Sequence, residues 1–506
     1  MRKKIICIII ACLLFGAIAS GYYLYTHDDK ITVAIVPLDS RPCNTRYPYL
    51  LGQMADMRVI LPPAELLDDY LSPADKDGLW QWLENTSAKC DYILLCTNEL
   101  FQGGLINSRS SDSLQDLESD LARLQNFCQS HPEPKITVLS ILPRLLPSQY
   151  DSDLAPYMDE LKKYGIAWDQ AAQSGIEPSS ADVPDEVLAK YRSLFLQSEQ
   201  MLDKLYSLAA SGSIELVVGQ DDGAQFCPSN IITRNLQNKQ TANVTFLHGA
   251  DELEMLILAS YLDLPTAEVN IIIEDEDTLN AYFPYEAADL KTVLVEKLAF
   301  ANININEEAT DSIFIHTKTG DDTAAALYLA GEHAGYTAIA DIATTNRGDK
   351  ALAPLLLDKD NFAALHCYSG WNTCSNTLGT VLAHYRFSQA FAQNKTAARA
   401  AVEFKAVRFG EDAIFQALIS PDLRNELAQK GLMNPSTTAF LADASEITPY
   451  LASAYEPYAN QLQNLFNGTI EIVPNYSVNI NKFTSTLTFP WDRAFEVKVE
   501  CDFQIK

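Results

Sequence analysis

IELVVGQDDGAQ (214–225) is followed, about thirty residues on, by VTFLHGADE (244–252). Each is a short apolar run that ends in a loop carrying adjacent acids. Runs of this kind, recurring at crossover-helix spacing, read as parallel strands of an α/β protein, and such proteins bind ligands at the carboxyl ends of their strands. Asp221-Asp222 and Asp251-Glu252 would then sit together at one rim.

The same alternation extends outward in both directions from this stretch. Strands are expected near 31–37, 57–61, 92–97, 136–142, 214–219, 243–248, 269–274, 312–317, 336–342 and 363–368. Ten strands exceed an eight-stranded barrel, so the expectation is two parallel-sheet lobes with crossover helices, at 27–265 and 266–385; a TIM-like barrel plus an extra α/β lobe is the alternative. Residues 152–211 read as a helical insertion able to wall one side of a cleft. Beyond Tyr385 the alternation stops, and 386–506 reads as a helical module, broken at Pro421, Asn434-Pro435 and Pro457, that ends in a small β-sheet.

With 506 residues and 47% apolar composition, the chain can build more than one core. Its 37 basic and 66 acidic residues give a formal net charge of −29, spread along the chain. No basic stripe is available for phosphates, which argues against nucleic acid. Residues 1–26 carry Arg2-Lys3-Lys4 and then an apolar run from Ile5 to Tyr25. This is the pattern of a signal peptide or an uncleaved membrane anchor, so the body is expected outside the cytoplasm. Eight cysteines follow the leader without a CxxC pair, and Cys367 with Cys374 is the pair expected to bridge.

The strand ends supply the candidate chemistry. After the first strand, DSRPCN offers Asp39 and Arg41 as an ion pair or a ligand clamp, since a guanidinium presents a planar fork of donors. After the third come Asn98 and, past Gly103-Gly104, Arg109; Arg144 follows the fourth. Asp221 and Asp222, flanked by Gly219 and Gly223, suit divided labour, one carboxyl protonated as general acid and the other ionised, or oxygen ligation of Mg²⁺ or Ca²⁺. Asp251 with Glu254 also fits a helix capping box, while Glu252 beside His248 could act as acid or base. In the second half, Trp371, Asn372 and Asn376 bring an indole and two amides four residues apart, a set suited to carbohydrate. Neither GxGxxG, GxxxxGK[ST] nor GxSxG occurs, and no two histidines stand at zinc-site spacing, so neither cofactor nor metal is assigned.

Two resemblances attach to these residues. HGADE is similar to the Asp-Glu motif of β-hexosaminidases. The strings VPLDSRPCN, NELFQGGLINSR, GQDDGAQ, HGADE, GWNTCSNTLG and FPWDRAFEV, in that order, resemble a bacterial family catalogued as a domain of unknown function, which implies no particular reaction. From the residues, the leading expectation is an exported glycoside hydrolase-like enzyme acting on an envelope or environmental glycan, with Glu252 or Asp222 as the acid. The alternatives are a non-catalytic, membrane-anchored glycan-binding or envelope-assembly protein and a divalent-metal-dependent hydrolase.

Overall fold

The computed structural model describes residues 30–506 apart from 177, 179–181 and 240. The leader or anchor expected over 1–26 lies outside the described residues. Among these, no helix is long and apolar enough to cross a membrane.

Strands β1 (Thr32–Val36), β2 (Arg58–Ile60), β3 (Tyr92–Cys96), β4 (Lys135–Leu142), β5 (Glu215–Gln220) and β6 (Val244–His248) form a wholly parallel sheet in the order β2-β1-β3-β4-β5-β6. Alternation explains why the inner strands read as continuous apolar runs. In β1, Val33 and Ile35 enter one core while Ala34 and Val36 enter a second core on the opposite face. A second parallel sheet is built from β7 (Ala267–Ile273), β8 (Ile303–Ile305), β9 (Ser312–His316), β10 (Thr337–Asp341) and β11 (Cys367–Ser369), in the order β11-β10-β9-β7-β8.

The sheets share one plan, with the second strand on one side of the first and the later strands on the other. The sequence shows no repeat, yet the order turns twice, between β1 and β3 and between β7 and β9. The alternative of a barrel is not formed: β6 pairs with β5, and β7 begins a separate sheet. Strand β8 had no counterpart in the expectation, and the last strand lies at 367–369 rather than 363–368 because Lys359–Ala364 is helical.

Helix Cys374–Gln389 joins the lobes. It is buried from Cys374 to Ser388 although much of it is polar. A helix buried all round needs either apolar side chains or internal partners for its polar ones, and this one has the partners. Ser375 Oγ donates to Glu286 at 2.6 Å, Thr377 Oγ1 to the Trp371 carbonyl at 2.9 Å, and Arg386 to the Leu264 and Pro265 carbonyls at 3.2 and 2.9 Å. Gly379 lets it approach helix Leu253–Ser260, since a Cβ there would fall 2.2 Å from Glu252 Cγ.

The module after 386 is helical and ends in an antiparallel sheet of β12 (Gly468–Val473), β13 (Tyr476–Thr488) and β14 (Lys498–Ile505). Pro421 starts helix Ser420–Gln429, directly after a π-helix at Phe409–Ile419. Pro457 does not break its helix. Ala444–Phe466 runs through both Pro449 and Pro457, held along its length against β13. Cys367 and Cys374 are both free and buried, so the expected bridge is not made.

Candidate functional site

The carboxyl ends of both sheets face one cavity of about 730 Å³, a volume that suits a small-molecule or oligomer-end ligand. Arg41 follows β1, Arg109 follows β3 and Arg144 follows β4; Asp221 and Asp222 follow β5, and Asp251 follows β6. The second lobe adds Asn346, Asn372 and, from the loop after β7, Tyr282 to Glu286, and the terminal module adds Arg493 and Phe495. Helix Met158–Ser174 of the insertion contributes Met158 and Lys162 to the wall. A more open groove of about 830 Å³ lies between Thr45, Tyr49 and β14, and it contains none of the candidate residues.

The floor is a buried chain of charges. Arg41 donates through Nε to Asp39 at 2.9 Å and through Nη2 to Asp251 Oδ1 at 2.6 Å. Asn44 Nδ2 donates to Asp39 at 2.8 Å. Asn372 Nδ2 donates to Asp251 Oδ2 at 2.6 Å. Asn372 reaches it from a left-handed backbone (φ 69°), a conformation that asparagine tolerates better than most residues and that concentrates at functional sites. Asn376 Oδ1 accepts from the Asp251 N–H at 3.2 Å. The two amides four residues apart therefore both position Asp251, one through its carboxylate and one through its backbone.

Burial pushes the Asp251 carboxyl up, against the pull of Arg41. Glu254 is not the reciprocal member of a capping box: it is fully buried and accepts from the Leu38 N–H.

The Asp pair is held more loosely. Asp221 Oδ2 lies 3.4 Å from Arg109 Nη2, and Asp222 Oδ2 lies 3.5 Å from Arg144 Nη1. The side chain of Asp221 is 13% exposed, and burial, followed by the charge of Asp222, raises its pKa. Gly223 serves close approach, because a Cβ there would fall 2.7 Å from the Ala287 Cβ; its N–H donates to the Tyr285 carbonyl at 2.8 Å.

Five expected site residues, Glu252, Asn98, Trp371, Asn376 and Asp39, do not line the cavity. Glu252 is fully buried in an ion pair with Lys297, whose Nζ also donates to the His248 carbonyl at 2.6 Å. His248 pairs instead with Glu296, Nδ1 to Oε2 at 2.9 Å. Asn98 ties β3 to β4, accepting from the Ile141 N–H at 2.9 Å. Trp371 packs edge-on against Phe495 and is 4% exposed, so it offers no face to a ligand. Asn376 acts beneath the surface as described, and Asp39 lies under Arg41.

The terminal string FPWDRAFEV supplies what the strand-end reading omitted. The Trp491 ring stacks on Tyr70 and lies 5.2 Å from the Arg41 guanidinium, and its Nε1 donates to Ser40 Oγ at 2.9 Å. It packs on the first lobe, not within the terminal sheet. Arg493, on the cavity wall, donates to both Glu496 oxygens at 2.9 and 2.7 Å. An aromatic residue with an Arg-x-x-Glu pair in an otherwise strand-like tail was the available signal.

Below the floor, at the β1/β3 turn of order, Asp68 and Glu99 are buried together. Asp68 Oδ1 accepts from the Ser40 N–H at 2.6 Å, and its own N–H donates to Glu99 Oε1 at 2.9 Å. Burial pushes both carboxyls up, Asp68 to about 8 and Glu99 to about 10, with the charge of Asp39 adding to the first shift and that of Asp68 to the second. A carboxyl raised in the folded state keeps a proton that the unfolded chain has released. The stability it supports is therefore full below pH about 4 and is lost as pH climbs toward 8. Glu99→Gln, which keeps the acceptor for the Asp68 N–H, is expected to flatten the fall in melting temperature between pH 5 and 8. A parallel fall in both proteins would refute this.

A family model described as "Protein of unknown function (DUF4127)" matches residues 33–500. No curated protein and no solved structure matches the chain.

Proposed function

Since the chain belongs to the DUF4127 family, whose description assigns no reaction, we propose from the site a glycoside hydrolase-like enzyme that acts on a glycan outside the cytoplasm. The observation that carries this reading is Asp221, a carboxyl with raised pKa, on a cavity rimmed by the exposed rings of Tyr150, Tyr282 and Tyr285. Rings of this kind cover the apolar C–H faces of sugars, and a raised carboxyl can protonate a leaving oxygen. Export is supported by the pattern of residues 1–26.

In this mechanism the bond between the anomeric carbon and the glycosidic oxygen breaks as Asp221 passes its proton to that oxygen. Water adds to the anomeric carbon and yields a proton to Asp222, which Arg144 holds in place. Asp251, fixed by Arg41 and Asn372, lies at the floor and orients the sugar.

A second reading, a glycan-binding protein without turnover, is favoured by one observation: Asp221, Asp222 and Asp251 each face a guanidinium. The metal-dependent alternative gains no such support, because among the described residues no three His, Cys, Asp or Glu side chains are grouped to hold an ion. Release of reducing ends from a glycan panel separates the readings. Binding without release selects the second; neither binding nor release overturns both. Under either, Tyr282→Ala and Tyr285→Ala are each expected to weaken glycan binding by about 1 kcal/mol, roughly fivefold, by calorimetry. Unchanged affinity would remove the tyrosines from the site.

A further inference from the structure

The cavity holds more cationic donors than its carboxylates use. The Arg109 guanidinium has five N–H donors, and its one hydrogen bond among the described residues is the 3.4 Å contact to Asp221. Its side chain is 15% exposed, and its remaining N–H groups have no protein acceptor among the described residues. Arg144 is pinned by its Nε and Nη2 to the Leu146 and Pro147 carbonyls, at 2.8 and 3.2 Å, and turns Nη1 toward the cavity, 3.5 Å from Asp222 Oδ2. Arg493 lines the same wall. Burial first, then the charges of Arg144 and Arg493, push Arg109 down to about 10 against the pull of Asp221 and Asp222. In a chain of net charge −29, three guanidiniums on one cavity are a local concentration of cations, and the donors that Asp221 and Asp222 leave unused are open to an anion there.

We propose that Arg109, flanked by Arg144 and Arg493, binds an oxyanion substituent of the ligand, a carboxylate or a phosphate ester. This rests on the reading of the cavity as a glycan site and narrows it to acidic glycans. Forked guanidinium recognition suits either oxyanion. An arriving anion also competes for Arg109 and loosens its 3.4 Å contact with Asp221, so ligand docking itself would favour the protonated, proton-donating form of that carboxyl.

The test is binding by the full chain, measured by calorimetry and thermal shift. The probes are a galacturonic acid oligomer, its neutral methyl ester, glucose 6-phosphate and glucose. At least one acidic probe should bind and raise the melting temperature while its neutral counterpart does not, and which of the two does so assigns the carboxylate or the phosphate. Arg109→Ala and Arg109→Gln should each weaken the acidic probe about ten- to hundredfold, and the apo melting temperature of the Gln variant controls for misfolding. Equal binding of acid and neutral partner, no response to either acidic probe, or unchanged affinity in both variants overturns the proposal. Asp221→Asn should retain acidic binding whether or not any glycan is cleaved, so failure of the hydrolase reading is seen separately.

Discussion

Asp221→Asn is expected to reduce glycan turnover by about two to four orders of magnitude, the usual contribution of a positioned general acid, with the melting temperature and glycan affinity preserved. Asparagine matches aspartate in size and can still accept from Arg109 across the 3.4 Å gap; it cannot give up a proton. The raised pKa of Asp221 adds a condition on pH. A general acid works in its protonated form, so the alkaline limb of the kcat/KM profile should lie above the ordinary carboxylate range and should be absent from residual activity in the variant. Wild-type rates in Asp221→Asn would eliminate it as the donor. A normal rate in Asp222→Asn would remove only the water-activating role.

The second large effect is on stability. Lys297→Ala is expected to cost about 3–5 kcal/mol, because it strands the fully buried Glu252 carboxylate without its cation. Burial already pushes Glu252 up against the pull of Lys297, and removing the lysine should push it further. The deficit should therefore shrink as pH falls and Glu252 takes up a proton. The double variant Glu252→Gln with Lys297→Met should recover most of the loss, since a neutral pair of similar volume carries no unpaired charge. Urea denaturation at pH 5 and pH 8 measures both statements. A pH-independent deficit, or a double variant no more stable than the single one, would contradict the account.

Where the sequence could be read, it was read through strand ends. Arg41, Arg109, Asp221, Asp222, Asp251 and Asn372 are together because each follows or precedes a recognisable element, and parallel strands bring their carboxyl ends to one side. Strand β8 escaped notice because it has three residues, two of them exposed, and pairs on one side only. The lock on Glu252 was invisible for a different reason. Lys297 lies in LKTVLVEKLAF, where a lysine ordinarily marks the solvated face of a helix, and only the packing of helix Leu290–Phe300 turns it inward.

Trp491 and Ser40 lie 451 residues apart in sequence, beyond any local pattern. Trp371 misled through its chemistry. An indole between amides suits a sugar, but it equally suits a buried joint between the second lobe and the terminal module, and burial decides between the two.

The single direction of the first sheet also sets which way the protein faces. Lys30 lies at the amino-terminal edge of β1, whereas the cavity opens beyond the carboxyl ends of β1, β3, β4, β5 and β6. The five residues of β1 separate the two edges by about 17 Å at 3.3 Å per residue. The edge where β1 begins and the edge that carries the cavity are thus opposite ends of one sheet, so a label placed on the Lys30 side chain would stand clear of the cavity mouth.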